Sequence, residues 1–167
     1  MSYIGDLRKI VGHRPLLAVG ATVIVLNQNN EILLNLRSDT KTWGIPGGAA
    51  EIGELIEETA SRELFEETGL KAEHFQLLAV LSGNDYYFVY PNGDMLHSVI
   101  VLFQAESVSG QLHIMDDEST ELKYFDFDNL PALESRAAKI VDWYLSNHHY
   151  QTRASIEQNS STANADC

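Results

Sequence analysis

The sequence predicts an α/β fold, with a mixed β-sheet and helices on both faces. Three observations carry this. Several short apolar, β-branched runs read as strands. One continuous helix-forming segment, residues 54–68, interrupts them. An amphipathic helical pattern follows the last strand. Strands, a helix, more strands and a second helix do not make a repeated βαβ unit.

In chain order, Ile4, Leu7, Ile10 and Val11 recur at helical spacing until Gly12. Residues 1–15 therefore read as a helical segment packed on the domain. Residues 16–26 are apolar enough for a strand buried on both faces. The Asn27-Gln28-Asn29-Asn30 turn and a strand at 31–36 predict a hairpin. The polar loop 37–41 leads to Trp43-Gly44-Ile45-Pro46-Gly47-Gly48, which breaks regular structure and permits close backbone approach. Residues 54–68 contain no Gly or Pro, and Gly69 suits a helix C-cap.

Strands are expected at 75–82, 86–90, 95–105 and 121–126, with a turn at Asn92-Gly93. In the second of these, alternation puts Tyr86, Phe88 and Tyr90 on one face. Leu133, Ala137, Ile140, Val141 and Tyr144 form the apolar stripe of the last helix. Residues 16–149 read as one domain. Residues 150–167, rich in Ser, Asn, Gln and Ala without a period, read as a disordered tail.

The 167 residues carry a formal net charge of -13. That argues against nucleic acid or an anionic membrane as partner, since both need a basic surface. Cys167 is the only cysteine, so no disulfide can form within the chain. The first fifteen residues lack the apolar run of a secretory signal, and a cytoplasmic protein is expected.

Residues 48–70 hold seven glutamates and one basic residue, Arg62. Such a density of negative charge calls for a cation. Glu63, Glu66 and Glu67 stand at i, i+3 and i+4 and share one helix face, while Leu64 turns inward. Three carboxylates there suit Mg²⁺ and leave coordination positions for water and phosphate. A backbone carbonyl from the Gly47-Gly48 turn could add a ligand, and Glu58 and Arg62 at i, i+4 could pair.

The stretch resembles the Nudix box, G-x5-E-x7-R-E-U-x-E-E-x-G-U, where U is bulky and aliphatic. Gly48, Glu54, Arg62, Glu63, Leu64, Glu66, Glu67, Gly69 and Leu70 fill every specified position. The resemblance implies a Nudix-like α/β/α sandwich with a mixed β-sheet. It implies an Mg²⁺-dependent, or Mn²⁺-dependent, hydrolase of a nucleoside diphosphate linked to another moiety. It gives metal-holding roles to Glu63, Glu66, Glu67 and the Gly47 carbonyl. Gly48, Glu54, Arg62 and Gly69 become supports of the box.

The general base is open between Glu63 and Glu118 of the Asp116-Asp117-Glu118 loop. Arg37 is a candidate for phosphate oxygens. Tyr86, about 17 residues past Gly69, is similar to a tyrosine of the dinucleoside-polyphosphate subfamily. Its ring is a candidate to stack on a base. His97, His113 and the His148-His149 pair read as structural or surface residues. An ADP-ribose-type, nucleotide-sugar or dinucleoside-polyphosphate substrate competes with a noncanonical or oxidised nucleoside triphosphate. A nucleotide sensor that does not cut is the reading from another class. A homodimer, if formed, would use the N-terminal segment or the 86–90 strand.

Overall fold

The computed structural model describes residues 2–115 and 118–148. The expected tail at 150–167, with Cys167, and also His149, Asp116 and Asp117, lie outside the described residues. Strand β1 (Leu16–Ile24) is central. It runs antiparallel to β4 (Gly47–Ala49) on one side and parallel to β8 (Met95–Glu106) on the other. On its far side β8 pairs antiparallel with β6 (His74–Leu81) and β7 (Tyr87–Val89). A second sheet has the order β10 (Ser119–Phe125), β2 (Ile32–Arg37), β3 (Trp43–Gly44). The short pair β5 (Leu70–Lys71) and β9 (Ser109–Gly110) follows helix α2 (Ile56–Thr68).

Alternation along β1 and β8 divides the core in two. Ile24, Ile100 and Leu102 pack with Ile140, Val141 and Tyr144 of helix α3 (Ser135–Asn147). Ala21, Val23, Phe103 and Ala105 pack with Ala60 and Leu64 of α2. Helices thus cover both faces of the mixed sheet, as expected. Helix α1 (Tyr3–Val11) begins at Ser2, whose side chain accepts a hydrogen bond from the Gly5 N–H, and ends at Gly12. Among the described residues no helix is long and apolar enough to cross a membrane.

Four local expectations need correction. Strand β1 is not buried on both faces along its length, because α2 covers only its second half; Leu17 is 72% exposed. The strand buried on both faces is β2, where Ile32 and Leu34 join one core and Leu33 the other. The expected hairpin of these two strands is short: a Leu26–Ile32 bridge, with backbone bonds from Leu33 N–H to Val25 O and from Asn27 N–H to Glu31 O. The turn delivers β2 into the second sheet, where it pairs with β10 over six registered positions.

The acidic helix begins at Ile56 rather than Glu54, because Leu55 is extended and its N–H is satisfied by the Glu58 carboxylate. Tyr86 is not in a strand. It ends a 3₁₀ turn, Asn84–Tyr86, and points into the core beside Tyr144 and Ile140. It therefore does not share a face with Phe88 and Tyr90.

Strand β4 lies against β1 so closely that a Cβ on Gly20 would sit 2.3 Å from the Gly48 carbonyl oxygen. Backbone on both sides leaves nothing to yield. Gly20→Ala is expected to lower the free energy of unfolding by about 1–3 kcal/mol, as overpacking does, measured by urea denaturation.

Candidate active site

The loop–helix–loop around α2 is held by one cation. Arg62 Nε and Nη2 donate to the two oxygens of Glu54 at 2.7 and 3.0 Å. Nη2 also donates to the Ala49 carbonyl at 3.0 Å. Nη1 bridges Glu63 Oε1 at 2.7 Å and Glu66 Oε2 at 3.1 Å. The expected Arg62–Glu58 pair is not formed, since Glu58 caps the helix start instead. Glu54 also accepts from the Glu51 N–H and the Thr59 hydroxyl. It is the clasp between loop and helix. The C-terminal end closes at Gly69, whose φ of 73° is left-handed and whose N–H donates to Phe65 O.

The three carboxylates on the helix differ in environment. Glu67 is 5% exposed and accepts from the Gly47 N–H at 3.0 Å and from Asn35 Nδ2 at 3.4 Å. Glu63 lies flat against β4: a Cβ on Gly48 would be 2.4 Å from its Oε1. Glycine there is a steric requirement of the carboxylate. Glu66 is the most open, with 54% of its side chain exposed. Burial pushes the Glu63 carboxyl above its usual pKa; the Arg62 bond opposes this, and the Glu66 and Glu118 charges add to the rise.

Do these groups suit a divalent cation? Among the described residues no set of three His, Cys, Asp or Glu side chains is drawn together as a metal cage, and the Arg62 guanidinium occupies the place between Glu63 and Glu66. The donors are nonetheless all hard oxygens. A backbone cradle without a Cβ brings one of them against the strand. The residues fit a hard cation.

Glu63, Glu66, Glu67 and Gly47 open into a cavity of ≈ 820 Å³. Arg37 and Glu118, both named from the sequence, line it too. Arg37 is engaged, donating to Asp39 from Nε at 3.0 Å and Nη2 at 2.8 Å, and its guanidinium lies 6.0 Å from the Tyr90 ring centre. That double hydrogen bond holds the Asp39 carboxyl below its usual pKa. Tyr86, named from the sequence as a substrate contact, is buried in the core and is not among the residues lining this cavity. Tyr90, which does line it, is the aromatic residue of that segment at the site. His97 lies against Tyr87 in a tilted ring contact at 4.5 Å and His148 stacks on Tyr144 at 4.6 Å, while His113 donates its backbone N–H to Thr68 O.

Sequence reasoning missed a further wall. Arg136 lies 4.3 Å from the Phe88 ring centre and 5.8 Å from that of Tyr90. Its Nε donates to Glu134 Oε1 at 3.1 Å, and Glu134 is 6% exposed. Both residues line the cavity. Their only signal was an acid and a base at the start of an amphipathic helix, which is ordinary for a helix N-terminus. Asn35 was also missed. Buried at 3%, it bonds Glu67 and Ser119 through Nδ2, while its Oδ1 has no hydrogen-bond partner among the described residues.

A NUDIX domain profile matches residues 16–144. An ADP-ribose pyrophosphatase from Methanocaldococcus jannaschii is 36% identical over 124 residues, 72% of this chain and 69% of that protein. A Bacillus subtilis protein provisionally named an 8-oxo-dGTP diphosphatase is 53% identical over 53 residues, 32% of this chain and 36% of that protein. The crystal structure of a MutT NUDIX hydrolase from Burkholderia pseudomallei superposes with a TM-score of 0.64 at 28% identity, covering 76% of this chain and 97% of that one. The chain belongs to the NUDIX family. It is a hydrolase acting on phosphoanhydride bonds, in a family whose members generally use divalent metal ions.

The Arg62 hydrogen bonds hold the Glu54 carboxyl at a pKa of about 2, against an ordinary value of 4.5. A lowered carboxylate pKa contributes stability above the ordinary value, and that contribution is lost as pH falls from about 4.5 toward 2. The melting temperature is expected to drop through that window. In Glu54→Gln it is expected to start lower at neutral pH and to fall less steeply, read by thermal melts across the range.

Proposed function

We propose that the chain hydrolyses the phosphoanhydride of a nucleoside diphosphate linked to another moiety, of the ADP-ribose type, with Mg²⁺ as its metal and Mn²⁺ as a substitute. The observation that carries this reading is one cavity holding the box carboxylates together with a wall of Tyr90, Arg136 and Glu134. The carboxylate region suits a metal-neutralised diphosphate. The wall offers an aromatic and guanidinium surface for a base to stack on, beside a hydrogen-bond acceptor and donor. Likeness to the Methanocaldococcus jannaschii pyrophosphatase supports the same substrate class.

Glu63, Glu66, Glu67 and the Gly47 carbonyl would hold the metal. When bound, it neutralises the diphosphate oxygens and favours attack at phosphorus. Glu67 is kept in place by the Gly47 N–H, and Glu63 by the Gly48 cradle. The base is Glu63 or Glu118, taking a proton from water at a carboxylate oxygen as the water oxygen bonds to phosphorus. The anhydride P–O bond breaks and the second phosphate group leaves. Arg37, released from Asp39, would meet the phosphate oxygens. Arg62 and Glu54 hold the loops and touch no reacting atom. The cytoplasm is the proposed compartment, since a single cysteine permits no disulfide within the chain.

A second reading, a sanitising hydrolase of noncanonical or oxidised nucleoside triphosphates, is favoured by the likeness to the Bacillus subtilis protein. Measuring kcat/KM with Mg²⁺ across ADP-ribose, nucleotide sugars, dinucleoside polyphosphates and oxidised nucleoside triphosphates separates the two. A clear preference for triphosphates would replace the first reading with the second. Binding of these compounds without any turnover would make the protein a sensor.

Glu67→Gln is expected to lower kcat by at least about 100-fold, with the melting temperature retained. A near-normal rate would remove Glu67 from the metal site. For the base, the pH–rate profile of Glu118→Gln decides: loss of the acidic limb, where the rate rises as the base deprotonates, assigns the proton to Glu118, and a wild-type profile leaves it with Glu63.

A further inference from the structure

Helix α1 precedes the 16–144 family match, yet it walls the cavity: Ser2, Ile4 and Arg8 all line it. Two polar anchors hold the helix across the site. At its start the Tyr3 N–H donates to Glu51 Oε2 at 2.9 Å, and Glu51 lies within the box loop before α2. Farther along, Arg8 Nη2 donates to the Met95 carbonyl at 2.6 Å, and Nη1 donates to the carbonyls of Gly12 and Arg14 at 3.0 and 2.6 Å. Arg8 Nε also lies 3.5 Å from Asp94, which bonds His13 Nδ1 at 2.7 Å. This second anchor grips the turn that carries Tyr90 and Asn92, both at the cavity.

The helix contributes little to the core. None of its residues is fully buried, and Ile10 is 82% exposed. Its position is set by the two rims it joins. The sheet floor of the cavity includes the small residues Ala18, Gly20 and Ser98, flanked by Leu96 and Ile100.

We infer that α1 is a specificity wall: Ile4 and Arg8 bound the space for the moiety attached to the diphosphate. A compact sugar is accepted there, and a second nucleoside on a longer phosphate chain is disfavoured. This deepens the proposed function and rests on it. A steric wall acts on the ratio of substrates, whereas lost stability would lower both alike.

The test uses the full chain with two substrates, ADP-ribose and diadenosine tetraphosphate. Arg8→Ala frees the second anchor. It is expected to shift the ratio of kcat/KM about tenfold toward the longer substrate. Ile4→Trp fills the space and is expected to raise KM for ADP-ribose about tenfold with kcat little changed. Ile10→Trp, on the same helix but away from the cavity, is expected to match wild type. Melting curves check that each variant folds. Wild-type ratios in both Arg8→Ala and Ile4→Trp would overturn the wall. If wild type cleaves neither substrate, the proposed function falls. Equilibrium dissociation constants of the same two ligands, in wild type and Arg8→Ala, then decide the wall alone: a shifted ratio supports it and an unchanged ratio overturns it.

Discussion

The Arg62 guanidinium reaches Glu54, Glu63, Glu66 and the Ala49 carbonyl at once. Around it a segment with seven glutamates becomes a fixed object rather than a self-repelling one. The same contacts join three pieces of chain: strand β4, the loop after it and helix α2. Removing the guanidinium would leave Glu54 and Glu63 partly buried without a counter-charge. Glu63 and Glu66, the proposed metal ligands, are thus also acceptors for Arg62, whereas Glu54 is bonded to Arg62 outside that proposed set.

The site also depends on close backbone packing. Gly20 and Gly48 let β4 lie against β1, and Gly48 in turn admits the Glu63 carboxylate. Helix α2 is then locked to the sheet by Leu64 and Ala60 on its other flank. The division of the sheet into two faces does the rest. One face packs against α2, and the cavity reaches across the other to residues of α1 and α3.

The box was legible because its chemistry is local. Glu63, Glu66 and Glu67 share a face through helix geometry alone, and Gly69 ends the helix through its own backbone freedom. The mixed sheet with helices on both faces followed from element order. The pairing of β1 and β2 did not, because a short turn can close a hairpin or hand the chain to another sheet, and long-range pairing with β10 decided it. Tyr86 illustrates the same limit. Alternation assigned it to the face of Phe88 and Tyr90, but Gly83, with φ of 101°, precedes a 3₁₀ turn that breaks the period and sends the ring into the core. Arg136, Glu134 and Asn35 carried no pattern at all. They matter through residues of other elements: Asn35 through Glu67 and Ser119, and Arg136 through Phe88 and Tyr90.

From the sequence by itself came the family, the carboxylate set with its supporting Arg62 and Glu54, and the strand–helix order. Each depends on contacts within a turn of helix or a single loop, where spacing dictates geometry. Tertiary structure alone added Arg136 and the α1 residues Ile4 and Arg8 to the cavity, and brought Arg37, Tyr90 and Glu118 together in it. These come from separate elements, and their meeting is set by sheet register and helix packing, which depend on the whole core at once.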